Sequence, residues 1–315
     1  MKRRVVIGID TSNYTTSLGI ISEDGELVAN LKRPLPVKEG ERGLRQSDAV
    51  FSHVKNLPLL LDEAREYLCG GEILGVGVSV RPRNKEGSYM PCFLTGLAAA
   101  KSIAMAADAP LYEFSHQCGH IMAALYSTGR TDLADRSFAA FHVSGGTTEM
   151  LSVRPSDDGF DAEIVGGTLD LNAGQIVDRI GVGFGLAFPA GRELEKLALA
   201  YSGKPKKQKI KLKDGFVNLS GIENLVLRMQ GEGATKEEIA SFVFNTLGGA
   251  ISDMSLHYLE TREKTPFVYA GGVMSSSLIQ SVIRSKGIDC YFAESEMSKD
   301  NAVGIAALTL RKLKK

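Results

Sequence analysis

Little in this sequence commits it to a membrane, an oxidising compartment or a polyanion. Its 37 basic and 37 acidic residues cancel, so net charge implies no general attraction to nucleic acid or anionic lipid, and any such contact has to be local. The four cysteines, Cys69, Cys92, Cys118 and Cys290, show no Cys-x-x-Cys spacing, which argues against a disulfide framework and a thiolate zinc site. After Met1-Lys2-Arg3-Arg4 the apolar run is too short for a signal-peptide core, and no other run approaches membrane-spanning length. These absences predict a cytoplasmic protein with reduced thiols and no membrane contact. Neither Gly-x-x-x-x-Gly-Lys-Ser/Thr nor Gly-x-Gly-x-x-Gly occurs, so neither a P-loop nor a Rossmann phosphate site is supported.

What is present begins with His116-Gln117-Cys118-Gly119-His120. The stretch reads as helix, and residues at i and i+4 share a helix face, so both imidazoles can address one divalent ion. Gln117 stands where the zinc-protease pattern His-Glu-x-x-His carries its general base, which disfavours a metalloprotease. By itself the pair fits equally well one buried and one exposed histidine with no shared role.

Glycine turns are the second feature. Val5 to Asp10 is an apolar, β-branched run, Thr11 to Ser17 reads as a polar turn, and Leu18 to Ile21 resumes the apolar pattern. The same design returns as Phe138 to Val143, Ser144-Gly145-Gly146-Thr147-Thr148, and Met150 to Val153, which predicts an internal duplication. Strands are expected at Glu26–Asn30, Leu74–Val80 and Phe267–Tyr269. Helices are expected at Ser52–Leu68, Phe93–Ala106, Ala173–Gly183, Gly191–Tyr201 and Lys236–Glu260. The alternation predicts an α/β protein of two similar lobes. Ser144, Gly145, Gly146 and Thr147, with Thr11 and Ser12 in the partner hairpin, can hold a nucleotide's phosphates, because glycine lets backbone N–H groups approach oxygen and the hydroxyls add donors. Gly271-Gly272 after the later strand can lie against a sugar or base. One charge cluster stands out: Lys204 to Lys213 holds six lysines in ten residues, either a solvated linker or a contact for RNA phosphates.

In combination, Ile7-Gly8-Ile9-Asp10-Thr11-Ser12, His116-x-x-x-His120, Val143-Ser144-Gly145-Gly146-Thr147, Gly167-Thr168-Leu169-Asp170, Asp178-Arg179, Phe188-Pro189-Ala190-Gly191, Leu219-Ser220-Gly221, Gly271-Gly272-Val273 and Asp300-Asn301-Ala302 resemble the tRNA threonylcarbamoyladenosine synthase family, once labelled O-sialoglycoprotein endopeptidases. The resemblance spans roughly residues 5 to 310. It implies the duplicated, bilobed nucleotide-binding fold of actin, hexokinase and Hsp70 (the ASKHA fold), with a first lobe over residues 1–133, a second over 134–299, and the helix at 300–315 packing back on the first. It further implies that His116, His120 and Asp300 bind iron or zinc, which would weaken below about pH 6 as imidazole protonates. Asp10 and Asp178 would be catalytic. Thr11, Ser12, Ser144, Gly145, Gly146, Thr147, Asp178, Gly191, Gly271, Gly272 and Ser276 would hold ATP, ADP or threonylcarbamoyl-adenylate, with Mg2+ as a further cation. The carbamoyl group would pass to N6 of adenosine 37 in tRNA. Helper proteins of a tRNA-modification complex, or a second copy, would bind through the first lobe's helices.

Departures from the family pattern cluster around the expected chemistry. Asn13 and Tyr14 replace acidic residues, Arg81 to Ser88 replaces a Gly-Pro-Gly turn, Gln175 replaces a glutamate, Glu223 a lysine and Ser276 an asparagine. They predict a divergent paralogue. Two outcomes follow: a carbamoyl-type transferase with tRNA as default acceptor, or a regulatory protein that kept nucleotide and metal but neither hydrolyses ATP quickly nor replaces the synthase.

Overall fold

The structure, a computed structural model, describes residues 3–36 and 44–315. The chain forms two compact units. The first comprises Met1–Asp135, Arg154–Asp161 and Met297–Lys315, and the second Arg136–Val153 and Ala162–Glu296.

In the first unit, β1 (Arg4–Ser12), β2 (Thr15–Ser22) and β3 (Leu27–Pro34) form an antiparallel meander. It is followed by α1 (Gln46–Leu68), β4 (Glu72–Arg81), α2 (Phe93–Ala107), β5 (Leu111–Ser115) and α3 (His116–Ser127). β4 runs parallel to β1 and β5, giving the order β3-β2-β1-β4-β5. Val5, Val6, Ile9, Leu18, Ile20 and Ile21 are wholly buried, as expected of central strands covered on both faces. The hairpin is longer than its sequence pattern indicates. β1 continues through Thr11 and Ser12, and only Asn13 and Tyr14 form the turn. Thr11 and Ser17 tolerate this burial because their hydroxyls find partners. Thr11 Oγ1 donates to the Cys92 carbonyl (3.0 Å) and accepts from the Gly96 N–H (3.1 Å), and Ser17 Oγ donates to the Asp10 carbonyl.

The second unit holds β6 (Phe138–Val143), β7 (Thr148–Ser156), β8 (Gly159–Thr168), α4 (Ala173–Gly183) and α5 (Gly191–Ala200). A small hairpin of β9 (Leu212–Lys213) and β10 (Phe216–Val217) precedes α6 (Gly221–Gly231) and α7 (Lys236–Thr261). β11 (Phe267–Ala270), α8 (Ser277–Arg284) and β12 (Cys290–Phe292) complete it. Its sheet order is β12-β11-β6-β7-β8-β10-β9. Without the small hairpin this reads β8-β7-β6-β11-β12, the order of the first unit, and the directions match: β6 is antiparallel to β7 and parallel to β11, which is parallel to β12. The duplication is therefore present in topology. Phe141, Tyr269 and Phe292 stack at 5.1 and 4.9 Å across the sheet, and Tyr269 Oη meets Ser255 Oγ of the buried α7 at 2.7 Å.

The chain returns to the first unit in α9 (Val303–Leu313), buried from Val303 to Leu310. It packs on β1, β2, β4 and α3. A Cβ on Gly304 would overlap the Gly119 carbonyl of α3, so only glycine permits this helix crossing. Gly304→Ala is expected to destabilise the fold by about 1–3 kcal/mol, as overpacking does, read as a lower urea midpoint with an unchanged slope.

Candidate metal centre and glycine turns

β5 delivers the chain directly into α3, whose first residue is His116. Ser115 caps the helix by accepting from the Cys118 N–H, so the first turn is fixed and His120 follows one turn later on the same face. The close crossing of α3 and α9 brings up the loop before α9, where buried Asn301 donates to the Met297 and Lys299 carbonyls and accepts from the Val303 N–H. That loop carries Asp300. His116 Nε2 and His120 Nε2 lie 3.0 Å apart, and Asp300 Oδ1 lies 3.8 and 3.3 Å from them. The three side chains are 21, 20 and 25% exposed, enough for an ion and one further ligand to reach them.

Behind this face, Asp10 at 1% exposure uses both oxygens. Oδ2 accepts from His116 Nδ1 at 2.7 Å, and Oδ1 accepts from Ser79 Oγ on β4. A proton held on Nδ1 leaves Nε2 as the ligating atom, the usual carboxylate–histidine arrangement behind a metal. Two imidazole nitrogens and a carboxylate oxygen within 4.8 Å of one another fit a tetrahedral or facial transition-metal site with open positions, and do not fit magnesium, which takes oxygen ligands. Burial opposes charge on His116, but the adjacent Asp10 carboxylate, aided by Asp300, raises its pKa to about 9. Burial would raise Asp300, yet hydrogen bonding to His120 and the charge of His116 hold it at about 2.

Ser79 is missed by sequence reasoning. The signal was a lone hydroxyl near the end of the otherwise apolar run Leu74 to Val80. Of the other residues expected here, Thr11 spends its hydroxyl on α2. Ser12 Oγ is buried without a partner among the described residues. Asn13 accepts from Gln46 Nε2 at 2.6 Å. The basic turn that stands for Gly-Pro-Gly is tied down, with Arg81 bound to Asn84 and to Asp158 at 3.0 Å.

The second unit gathers the glycine turns at the ends of β6 and β11. Ser144 Oγ accepts from the N–H groups of Gly146 and Thr147, and the Ser144 carbonyl accepts from the Gly174 N–H at the start of α4. A Cβ on Gly145 or Gly146 would meet nothing within 4 Å, so open space lies over the turn. Gly271, at φ +106°, sits so close to Val143 that a side chain would strike its carbonyl. The β11 turn is therefore pressed against the β6 turn, with Gly272 exposed beside it. Asp178 Oδ1 accepts from the Ala190 N–H (2.8 Å), holding the loop that starts α5 at Gly191. Asp170 accepts from the backbone of Leu219 and Ser220, joining two of the sequence motifs. The Ser276 hydroxyl caps α8 and donates to Glu195 at 2.9 Å.

Two departures have local explanations. Gln175 closes a capping box with Asn172, a place where Gln and Glu are interchangeable, and Glu223 pairs with Arg179 at 3.3 Å. Gln175→Glu is expected to leave stability unchanged, whereas Gln175→Ala should cost about 0.5–1 kcal/mol through loss of a helix cap, measured by chemical denaturation.

Two five-stranded cores of one topology, each in its own unit and followed by helices, define an actin/hexokinase/Hsp70-type fold. A ROK-family glucokinase from Streptomyces griseus, solved with glucose and AMPPNP, shares this fold at a TM-score of 0.55 with 12% identity, covering 98% of this chain and 99% of that one. The chain belongs to the tRNA N6-adenosine threonylcarbamoyltransferase (TsaD) family, whose profile matches residues 43–307. Relatives bearing that enzyme's name are 23% identical in Methanopyrus kandleri, over 96% of this chain and 86% of the relative, and 28% identical in Thermus thermophilus, over 98% and 92%. Among the described residues no helix is long and apolar enough to cross a membrane.

Proposed function

We propose that this protein is a metal-dependent transferase that moves the threonylcarbamoyl group of threonylcarbamoyl-adenylate to N6 of adenosine 37 in tRNA. The observation that carries the reading is the convergence of His116, His120 and Asp300, backed by Asp10. In the reaction a bond forms from N6 to the carbamoyl carbon, the bond from that carbon to the phosphate oxygen breaks, AMP leaves, and the N6 proton passes to solvent water. Iron or zinc held by His116, His120 and Asp300 would supply positive charge to an oxygen of the donor. Ser144, Gly145, Gly146 and Thr147 would take the phosphate, the free oxygen of Asp178 and the backbone at Gly191 the ribose, and Gly271-Gly272 the adenine. Asp10 holds His116 in place and is not the base that receives the N6 proton, because both its oxygens are engaged. Thr11 and Ser276 act through packing and capping.

Asn13 and Tyr14 favour a second reading, in which nucleotide and metal are bound without transfer. The exposed apolar residues Phe51 and Val54 on α1 and Leu94 and Met105 on α2 support a helper protein or second copy on the first unit. Purified, metal-loaded protein incubated with threonylcarbamoyl-adenylate and tRNA is expected to yield threonylcarbamoyladenosine in nuclease digests analysed by mass spectrometry. Tight binding of the adenylate with unmodified tRNA would establish the second reading instead.

A further inference from the structure

The lysine-rich segment 204–213 takes no part in the metal centre or the glycine turns. In the second unit it runs along α7. The Gln208 N–H donates to the buried Thr246 Oγ1 at 3.0 Å, Ile210 and Leu212 are half-buried against the core, and the segment ends as β9 on the sheet edge. Between and beyond these anchors Lys209, Lys211 and Lys213 are exposed. Alternate residues of an extended chain recur at roughly 6.7 Å, comparable with the separation of successive phosphates along a nucleic-acid strand. Glu238 holds Lys206 at 2.7 Å, while Lys207, Lys209, Lys211 and Lys213 have no ion pair among the described residues. A protein of zero net charge thus carries a row of exposed lysines on an anchored backbone, four of them without an ion pair among the described residues.

We propose that this row is a docking strip for the phosphate backbone of the RNA substrate, an inference that rests on the tRNA-directed activity proposed above. Lysine on an edge strand also discourages strand-to-strand aggregation. That purpose needs charge on β9 itself, which Lys213 provides, whereas Lys204 to Lys211 precede the strand. The groove between the segment and α7 is lined by Lys209 and Lys211 on the segment and by Asp253, His257 and Glu260 on the helix, so the two carboxylates disfavour phosphate inside the groove and leave the solvent-exposed side of the lysine row for RNA.

The test is a triple variant, Lys209→Glu, Lys211→Glu and Lys213→Glu, which keeps a charged edge and leaves Gln208, Ile210 and Leu212 in place. Binding of transcribed tRNA is followed by fluorescence anisotropy across a salt series. The variant is expected to bind ten- to a hundredfold more weakly at about 0.1 M salt, with a log–log salt slope shallower by about two to three. ADP affinity and thermal midpoint should match wild type. Should the triple glutamate variant fold poorly, Lys→Gln at the same three sites is expected to give a smaller loss with a shallower slope of the same kind. Equal tRNA affinity and slope in wild type and folded variant overturn the strip while leaving the transferase reading standing. Wild-type protein that binds no tRNA at low salt overturns both.

Discussion

His120→Ala protein is expected to retain less than about a tenth of the transition metal of wild type, which should carry about one equivalent, because a site of two imidazoles and one carboxylate cannot hold an ion on two ligands at ordinary free concentrations. Elemental analysis of the dialysed proteins reads this directly, and stoichiometric metal in the variant would remove His120 from the site. Asp10→Asn tests the group behind the ligands. It should weaken metal binding about 10- to 100-fold, as loss of such supporting carboxylates does, without abolishing it. The dependence on pH follows from His116. With its pKa at about 9 in the metal-free protein, an incoming ion must displace a proton. Affinity should therefore rise about tenfold per unit up to about pH 9 with release of one proton, detectable by calorimetry in buffers of different ionisation enthalpy. The sequence alone places this loss below about pH 6, the behaviour of an ordinary histidine; the buried carboxylate beside it moves the transition upward. The sign for stability is the opposite. The raised pKa of His116 stabilises the metal-free fold fully below about 6.5, and that contribution is lost as pH rises through about 9. Asp300, held at about 2, contributes above its ordinary 3.8 and loses the contribution as pH falls through about 2.

Gly145→Val is expected to lower ADP or ATP affinity at least tenfold, about 1.4 kcal/mol, with a thermal midpoint close to wild type. The dissociation of the two effects comes from the surroundings. A side chain at this position meets no protein atom within 4 Å, so it does not disturb packing, and it occupies the space in which phosphate would approach the backbone. Calorimetry and a thermal melt on the same preparation separate the outcomes. Unchanged affinity would mean that the turn only connects β6 to β7.

Which of these features were legible in advance depends on how local their causes are. The strands β1, β2 and β4 announce themselves as β-branched runs and β6 as an apolar one, and α4 announces itself by helical spacing between recognisable ends. β5, β8 and β12 carry no comparable pattern. β8 alternates imperfectly, begins with glycine and carries Gly166-Gly167 before its last residue, and β12 is three residues long and half-buried, so their strand character comes from pairing with neighbours. Thr11 to Ser17 looks like a loop because hydroxyls usually seek water. All of it but Asn13 and Tyr14 is strand, with Cys92 and Gly96 supplying Thr11's partners from elsewhere in the chain and Asp10 on the paired strand supplying that of Ser17.

The metal centre divides along the same line. His116 and His120 are one helical turn apart, so the fact that they share a face follows from spacing. Periodicity and repeated turn chemistry likewise sufficed for the α/β class, the duplication and the glycine turns, since each is written in residues close together along the chain. That Asp300 meets the histidines from 180 residues away and that Asp10 faces inward to His116 and Ser79 are properties of contact across the fold. They required β1, β4, α3 and α9 to be packed at distances that only the bare backbones of Gly119 and Gly304 allow, and neither spacing nor composition encodes a distance between segments so far apart.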